Sequence, residues 1–299
     1  MKNKLFVLIA AALVFICAFT LTISLLFELG NSFEITFAAD KDIFSGLSVD
    51  VEVFNHTDKY SLSATLSAGE SAEATMKYDD SYYDHYEFSH EHKSDADGLD
   101  LTYINIRKLI LAEDRSILLY RIFDGTPIVV SEDEDERVYI QTWDKSTKAL
   151  NDICDLYIES RDKDTPAIDY SNGVACVKLA SRNTYKDGKW YTGYSYRAVD
   201  MSSHTLAAYG DIYDRYSDRV DFACGTAYTV EEIFDVLWQN GVLYIIENAN
   251  CRTAEYGDIS ALPSISAITK DGVIASAQRL FTGNFAPSNE QYIKVSFTD

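Results

Sequence analysis

Alternation of polar and apolar residues is the feature that most limits what this chain can fold into. Residues 47–54 read Leu-Ser-Val-Asp-Val-Glu-Val-Phe, and residues 60–66 alternate again after the polar stretch 55–58. A period of two places successive side chains on opposite faces of a β-strand, and turn residues between two such runs favour a reversal of the chain. The two runs therefore predict a β-hairpin.

Ten further segments are rich in β-branched and aromatic residues, and we predict strands there. The chain's 21 tyrosines agree with this interpretation, because aromatic side chains suit the half-buried surface of a pleated sheet. The segments are 101–106, 117–123, 127–131, 137–143, 174–179, 189–199, 242–247, 265–269, 273–280 and 291–297.

Two segments carry helix signals. Residues 229–232 read Thr-Val-Glu-Glu, which is a capping box, and apolar residues at helical spacing follow until Asn240-Gly241. A second run with helical spacing begins at Ser146 and extends to Leu156. We predict a short helix at the first segment and a competing helix at the second.

A short internal repeat overlaps the second of these segments. A strand followed by Asp-x-Ser-(Ser/Thr)-x-x-Leu occurs at 138–150 and again at 194–206, with a degenerate copy at 264–274. A strand, a polar turn and a second strand resemble the outer hairpin of a β-propeller blade, although these copies are unevenly spaced. The predicted class is mainly β: β-propeller-like, or alternatively a β-sandwich or a mixed α+β domain.

The N-terminus predicts contact with a membrane. Lys2 and Lys4 precede 23 uncharged residues from Leu5 to Phe27, long enough as a helix to cross a bilayer core of about 30 Å. The positive-inside tendency predicts a cytoplasmic tail at 1–4, a transmembrane signal anchor at 5–27, a linker at 28–45 and an extracytoplasmic β-rich domain at 46–299. The alternative is a signal peptide that is cleaved to release a secreted protein.

Charge narrows the range of partners. Without Lys2 and Lys4, the chain carries 24 basic and 47 acidic side chains, a formal charge of −23. Such a surface repels phosphate backbones, which argues against nucleic acid as a partner. An envelope glycan or a protein remains as the expected partner.

Four cysteines outside the anchor, at 154, 176, 224 and 251, permit three disulfide pairings.

The densest polar segment, 78–100, holds the candidate metal ligands. Imidazole and carboxylate groups bind zinc, and closely spaced carboxylates resemble calcium loops, although the spacing does not match an EF-hand. A solvated acidic loop explains the same composition without any metal. We name calcium or zinc as candidate cofactors, with ligands drawn from His85, His90, His92, Asp95, Asp97 and Asp100.

Two other groups of residues have simpler explanations. Five consecutive carboxylates at 132–136 predict an exposed hairpin tip. The aromatic residues Trp143, Trp190, Tyr191, Tyr194, Tyr196, Tyr209, Tyr213 and Tyr216 could stack on sugars, but core packing uses the same side chains.

The functional prediction follows from topology and from the absence of recognisable catalytic motifs. The sequence has no G-x-S-x-G elbow and no H-E-x-x-H zinc helix. We predict a membrane-anchored extracytoplasmic binding or interaction module of the cell envelope, without enzymatic activity. The alternative is an envelope hydrolase, dependent on a divalent metal, that acts on glycan or peptide.

Overall fold

The chain is mainly β in the computed structural model, which describes residues 16–19, 32–38, 42–55, 60–75, 101–144, 146–157, 166–180, 184–186, 189–215, 229–251, 263–282 and 291–298. Its strands are β1 (Ser32–Phe37), β2 (Ser48–Asn55), β3 (Tyr60–Ser67), β4 (Ser71–Thr75), β5 (Ser116–Phe123), β6 (Thr126–Glu132), β7 (Arg137–Asp144), β8 (Ala149–Tyr157), β9 (Ala167–Ser171), β10 (Val174–Ala180), β11 (Thr184–Lys186), β12 (Lys189–Asp200), β13 (Thr205–Arg215), β14 (Thr229–Gln239), β15 (Val242–Cys251), β16 (Ser264–Thr269), β17 (Gly272–Arg279), β18 (Phe281–Thr282) and β19 (Gln291–Phe297). Helix α1 spans Leu101–Ala112, and a 3-10 turn spans Asp42–Phe44.

A nine-stranded antiparallel sheet forms the centre of the fold. Its main path runs β14-β15-β16-β13-β12-β10-β9, with β11 on β12 and β17 on β16. The two end strands, β9 and β14, lie close together, so the sheet is nearly closed into a barrel. This barrel-like sheet takes the place of the propeller that the repeat predicted.

Smaller layers cover the outside of the barrel-like sheet. The four-stranded sheet β5-β6-β7-β8 packs its apolar residues against the outer faces of β9, β10 and β12. The sheets β18-β1-β4 and β19-β2-β3 share a core with the outer faces of β15, β16 and β17. Strand β10 is therefore buried on both faces, which explains its nearly continuous apolar sequence.

Most of the predicted strands are present. The hairpin predicted from 47–54 and 60–66 is β2 and β3, paired antiparallel with Val51 opposite Ala64. Strand β1 lies within the stretch 28–45, which the sequence had indicated as a linker. Of the hairpin tip predicted at 132–136, Glu134, Asp135 and Glu136 are exposed, whereas Glu132, which ends β6, and Asp133 are half-buried.

The prediction of a strand at 101–106 was wrong, because this segment begins helix α1. Ile106 and Ile110, four residues apart, are buried together against Val129 and Trp143 of the four-stranded sheet. Residues four apart lie on one face of a helix. This helical spacing continues beyond residues 101–106, whose short alternation predicted a strand.

Both helix predictions were also wrong. Residues 229–239 form β14, which pairs along its length with the buried strand β15. Asn240 and Gly241 both have positive φ, so they are the two central residues of a tight hairpin and not a helix terminus. Residues 149–157 form β8, paired with β7.

The internal repeat corresponds to two equivalent hairpin turns. Asp144 Oδ1 accepts hydrogen bonds from the amide and the hydroxyl of Ser146, at 2.7 and 2.6 Å. Asp200 Oδ1 accepts the same pair of bonds from Ser202, at 2.7 and 2.6 Å. The motif therefore encodes a local turn, connecting β7 to β8 and β12 to β13, and does not require repeated blades.

The N-terminal run is described only at 16–19, where the backbone is helical. Within the part of the chain that the structure describes, no helix is both long and apolar enough to cross a membrane.

Candidate functional site

A buried ion pair spans the interior of the barrel-like sheet. Alternation along β10 places Val174, Cys176 and Lys178 on the inner face, and Glu247 reaches the same interior from β15. The Lys178 Nζ atom donates a hydrogen bond of 2.7 Å to Glu247 Oε2. The two side chains are only 8% and 9% exposed, so water contributes little to the screening of either charge.

Aromatic rings surround the lysine head group. The Nζ atom of Lys178 lies 4.1 Å from the ring centre of Tyr194 and 5.5 Å from that of Phe234. The faces of such rings carry negative electrostatic potential, which stabilises a desolvated ammonium group. One carboxylate and two rings thus replace the water that Lys178 loses on burial.

Two polar atoms in this interior lack a partner among the described residues, the Oε1 atom of Glu247 and the hydroxyl of Tyr196. Tyr196 lies directly opposite Lys178 in the β10–β12 ladder and is fully buried. Burial raises the pKa of Glu247, and the Lys178 ammonium opposes that rise. These two atoms can therefore accept a hydrogen bond or hold a proton, and the Glu247 and Tyr196 side chains are both buried.

A second polar pair lies where the barrel-like sheet comes close to closing. The half-buried carboxyl groups of Asp169 on β9 and Asp235 on β14 lie close enough to interact. Burial, together with the neighbouring Asp235 carboxylate, raises the pKa of Asp169 to about 7. Two close carboxyl groups disfavour simultaneous ionisation, so one of them holds a proton more tightly than an exposed aspartate does.

Two of the four predicted extracytoplasmic cysteines are free thiols, which excludes a disulfide between Cys154 and Cys176. Cys176 is fully buried beside the interior ion pair, and burial raises its pKa well above the usual value. Burial also raises the pKa of Cys154 to about 11. Both thiols are therefore protonated at neutral pH and are poor nucleophiles.

The predicted metal ligands His85, His90, His92, Asp95, Asp97 and Asp100 lie outside the described residues. Within the described ranges, no group of three or more histidine, cysteine, aspartate or glutamate side chains could hold a metal ion.

Among the aromatic candidates whose side chains the structure describes, three are core residues. Trp143, Tyr194 and Tyr196 are buried, whereas Tyr209 is 41% exposed. Burial explains the first three by packing and leaves them unavailable for stacking on a sugar.

The sequence predictions include neither pair, although the sequence carries a signal for one of them. Lys178 is the single charged residue between Val174 and Leu179, and Glu247 ends an apolar run at 242–246. Charged residues are almost never fully buried without a partner, so a lysine and a glutamate in two apolar strands indicate an internal ion pair. Asp169 and Asp235 carry no comparable signal.

Comparisons with known proteins add no relative: no protein family, no curated protein and no solved structure matches this chain.

Proposed function

We propose that this protein is a membrane-anchored extracytoplasmic module of the cell envelope that binds a glycan or a protein partner and is not an enzyme. The anchor is the uncharged run from Leu5 to Phe27, which follows two lysines. Because the rest of the chain carries a formal charge of −23, the partner is expected to be neutral or basic.

The observation that carries this proposal is the burial of the described groups best suited to chemistry. Lys178 and Glu247 neutralise each other at 2.7 Å, and Cys176 is fully buried. A catalytic group must come within hydrogen-bond reach of its substrate, which these groups do not offer to a molecule in solvent. Their arrangement supports a structural role inside a scaffold that binds through its surface.

The alternative proposal is an envelope hydrolase that uses a divalent metal held by the histidines and carboxylates of 85–100. Its candidate ligands are outside the described residues, so it rests on composition alone. The binding module is preferred because it accounts for the burial of Lys178, Glu247 and Cys176.

Thermal unfolding of the full chain in detergent separates the two proposals. The protein is first treated with EDTA, and then calcium, zinc, manganese, envelope glycan fragments or basic peptides are added separately. A ligand at about 100 times its Kd stabilises the folded state by about 2.7 kcal/mol, enough to raise the Tm by several degrees.

A Tm rise with a glycan or peptide, without its cleavage, supports the binding module. Cleavage of that ligand would overturn it. The hydrolase is supported if one metal ion raises the Tm, if the double variant H90A/H92A loses this rise, and if the protein cleaves the glycan or peptide. The matched control is His204→Ala, which changes a histidine in the β12–β13 turn.

The topology is tested separately in intact cells. Protease added from outside should digest the chain beyond residue 28 while the protein stays with membranes after alkaline carbonate extraction. Release into the soluble fraction would instead support cleavage of the N-terminal segment.

A further inference from the structure

Two interior side chains of the barrel-like sheet, Tyr196 and Glu247, each carry one polar atom that makes no hydrogen bond to any described residue. These atoms are the Tyr196 hydroxyl and Glu247 Oε1. Tyr196 is 0% exposed and Glu247 is 7% exposed, so bulk solvent is not their partner. Buried polar groups are almost always hydrogen-bonded, because one without a partner carries the full cost of its desolvation. Two such atoms in one interior indicate a bound molecule.

The side chains of Tyr196 and Glu247 extend into the same part of the interior. Tyr196 lies directly opposite Lys178 in the ladder between β12 and β10, so both side chains leave the sheet on one face. Lys178 reaches across the interior to Glu247 on β15, where its Nζ atom is 2.7 Å from Oε2. The ring centre of Tyr194 lies 4.1 Å from Lys178 Nζ and 6.5 Å from the ring centre of Tyr196. The Tyr196 ring therefore lies near the ion pair.

The two atoms together specify the chemistry of the bound molecule. As a carboxylate, Glu247 only accepts hydrogen bonds, so the molecule must donate one to Oε1. The Tyr196 hydroxyl donates its own proton to a molecule that offers a lone pair. An O–H group does both at once, whereas a carbonyl has no proton to donate and an ammonium group has no lone pair.

The ion pair also requires that the bound molecule be neutral. The Lys178 ammonium already neutralises Glu247 at 2.7 Å, so a second cation would meet like-charge repulsion in a buried site. An anion would meet the same repulsion from the carboxylate of Glu247. In the part of the chain that the structure describes, no group of three or more histidine, cysteine, aspartate or glutamate side chains could hold a metal ion. A neutral O–H group therefore fits the two atoms best.

We propose that the interior of the barrel-like sheet binds one neutral O–H group, which accepts a hydrogen bond from the Tyr196 hydroxyl and donates one to Glu247 Oε1. The group belongs either to a water molecule or to a small organic molecule that carries a hydroxyl. Its site lies inside the sheet and is separate from the surface through which the module is proposed to bind its partner. The bound group extends the Lys178–Glu247 pair into a hydrogen-bond network that joins β10, β12 and β15.

Tyr196→Phe tests the site, because it removes one hydroxyl and leaves the ring in place. If the hydroxyl donates to a bound O–H group, its loss should lower the folding equilibrium constant by about fivefold, the scale of one net hydrogen bond. The assay is urea unfolding of the full chain in detergent. A constant that is unchanged or higher would overturn the proposal, because removal of an unpaired buried hydroxyl costs nothing. The control is Tyr157→Phe, which changes a tyrosine that is 65% exposed and should leave the constant within about twofold.

A second background shows whether the effect of Tyr196→Phe passes through Glu247. In the double variant K178M/E247L the Oε1 atom is gone, so the bound O–H group has no acceptor there. Adding Tyr196→Phe to this background should therefore lower the folding equilibrium constant by less than about twofold. A decrease of the same size in both backgrounds would overturn the bridge between the two side chains.

Two measurements identify the source of the O–H group. In native mass spectrometry of the unmodified full chain, a small organic molecule would appear as an added mass that disappears on unfolding. A water molecule would appear in the magnetic relaxation dispersion of water as a long-lived molecule that Tyr196→Phe loses. Either result supports the site and names the source. If the protein shows no added mass and Tyr196→Phe loses no long-lived water, the proposal is wrong.

Discussion

Removal of the amine of Lys178 should destabilise this protein more than removal of any ordinary surface charge. In the variant K178M the side chain keeps most of its length, but Glu247 loses the ammonium group that lies 2.7 Å from its Oε2 atom. Both side chains are less than a tenth exposed, so water cannot replace the lost partner. Breaking a buried ion pair from one side costs about 3–5 kcal/mol.

That cost corresponds to roughly a hundredfold to several-thousandfold decrease in the folding equilibrium constant. The assay is urea unfolding of the full chain in detergent, followed by tryptophan fluorescence. The double variant K178M/E247L removes both charges together and should recover most of the loss, because no unpaired charge remains buried. The matched control, K294M, breaks a pair with Glu52 at 3.8 Å in which both side chains are 35% exposed, and it should cost less than about 1 kcal/mol.

The pH dependence of the stability lost in K178M provides a second test of the buried ion pair. Burial raises the pKa of Glu247, and loss of Lys178 removes the interaction that opposes the rise. The folded variant then holds a proton that the unfolded chain releases, so the cost of K178M should shrink as the pH falls toward the ordinary glutamate pKa. A loss below about 1 kcal/mol at neutral pH, equal to that of K294M, would refute a buried, unscreened pair.

Three further predictions test the packing, the turns and the thiols. A Cβ at Gly210 would lie 2.6 Å from methyl groups of the β16–β17 hairpin, one of them on Val273, so Gly210→Ala should cost about 1–3 kcal/mol by overpacking. In urea unfolding, the double variant that combines Gly210→Ala with V273A should recover part of that cost. Strictly additive effects of the two substitutions on the free energy of unfolding would contradict the steric explanation. Hydrogen bonds from Ser146 and Thr147 lower the pKa of Asp144 to about 2, so Asp144→Ala should destabilise the folded protein at pH 7. The difference in Tm between the variant and the unmodified protein should vanish as the pH falls toward 2. A difference in Tm that does not change with pH would exclude the Asp144 carboxylate as its source. A thiol reagent followed by mass spectrometry should label Cys154 slowly and Cys176 only after unfolding; a mass showing them joined would contradict the structure.

The two helix predictions show how far local patterns reach in this chain. The capping box at 229–232 and the spacing after it are helix signals, yet the Asn240-Gly241 pair that follows is also the strongest short hairpin signal. Strand β15 favours the hairpin over the helix, because its buried residues Leu243 and Ile245 need a neighbouring strand. Tertiary packing of this kind routinely overrides local propensity.

The sequence by itself determined the local features: the β class, most strands, and the aspartate-led turns after β7 and β12. Alternation and side-chain-to-backbone hydrogen bonds act within a few residues, so they are visible in the order of the amino acids. Only the tertiary structure decided which distant groups meet. Lys178 and Glu247 are 69 positions apart, and Asp169 meets Asp235 only because β9 and β14 are the two ends of one curving sheet. Closure of a sheet is a property of all its strands together, and no single segment of the sequence encodes it.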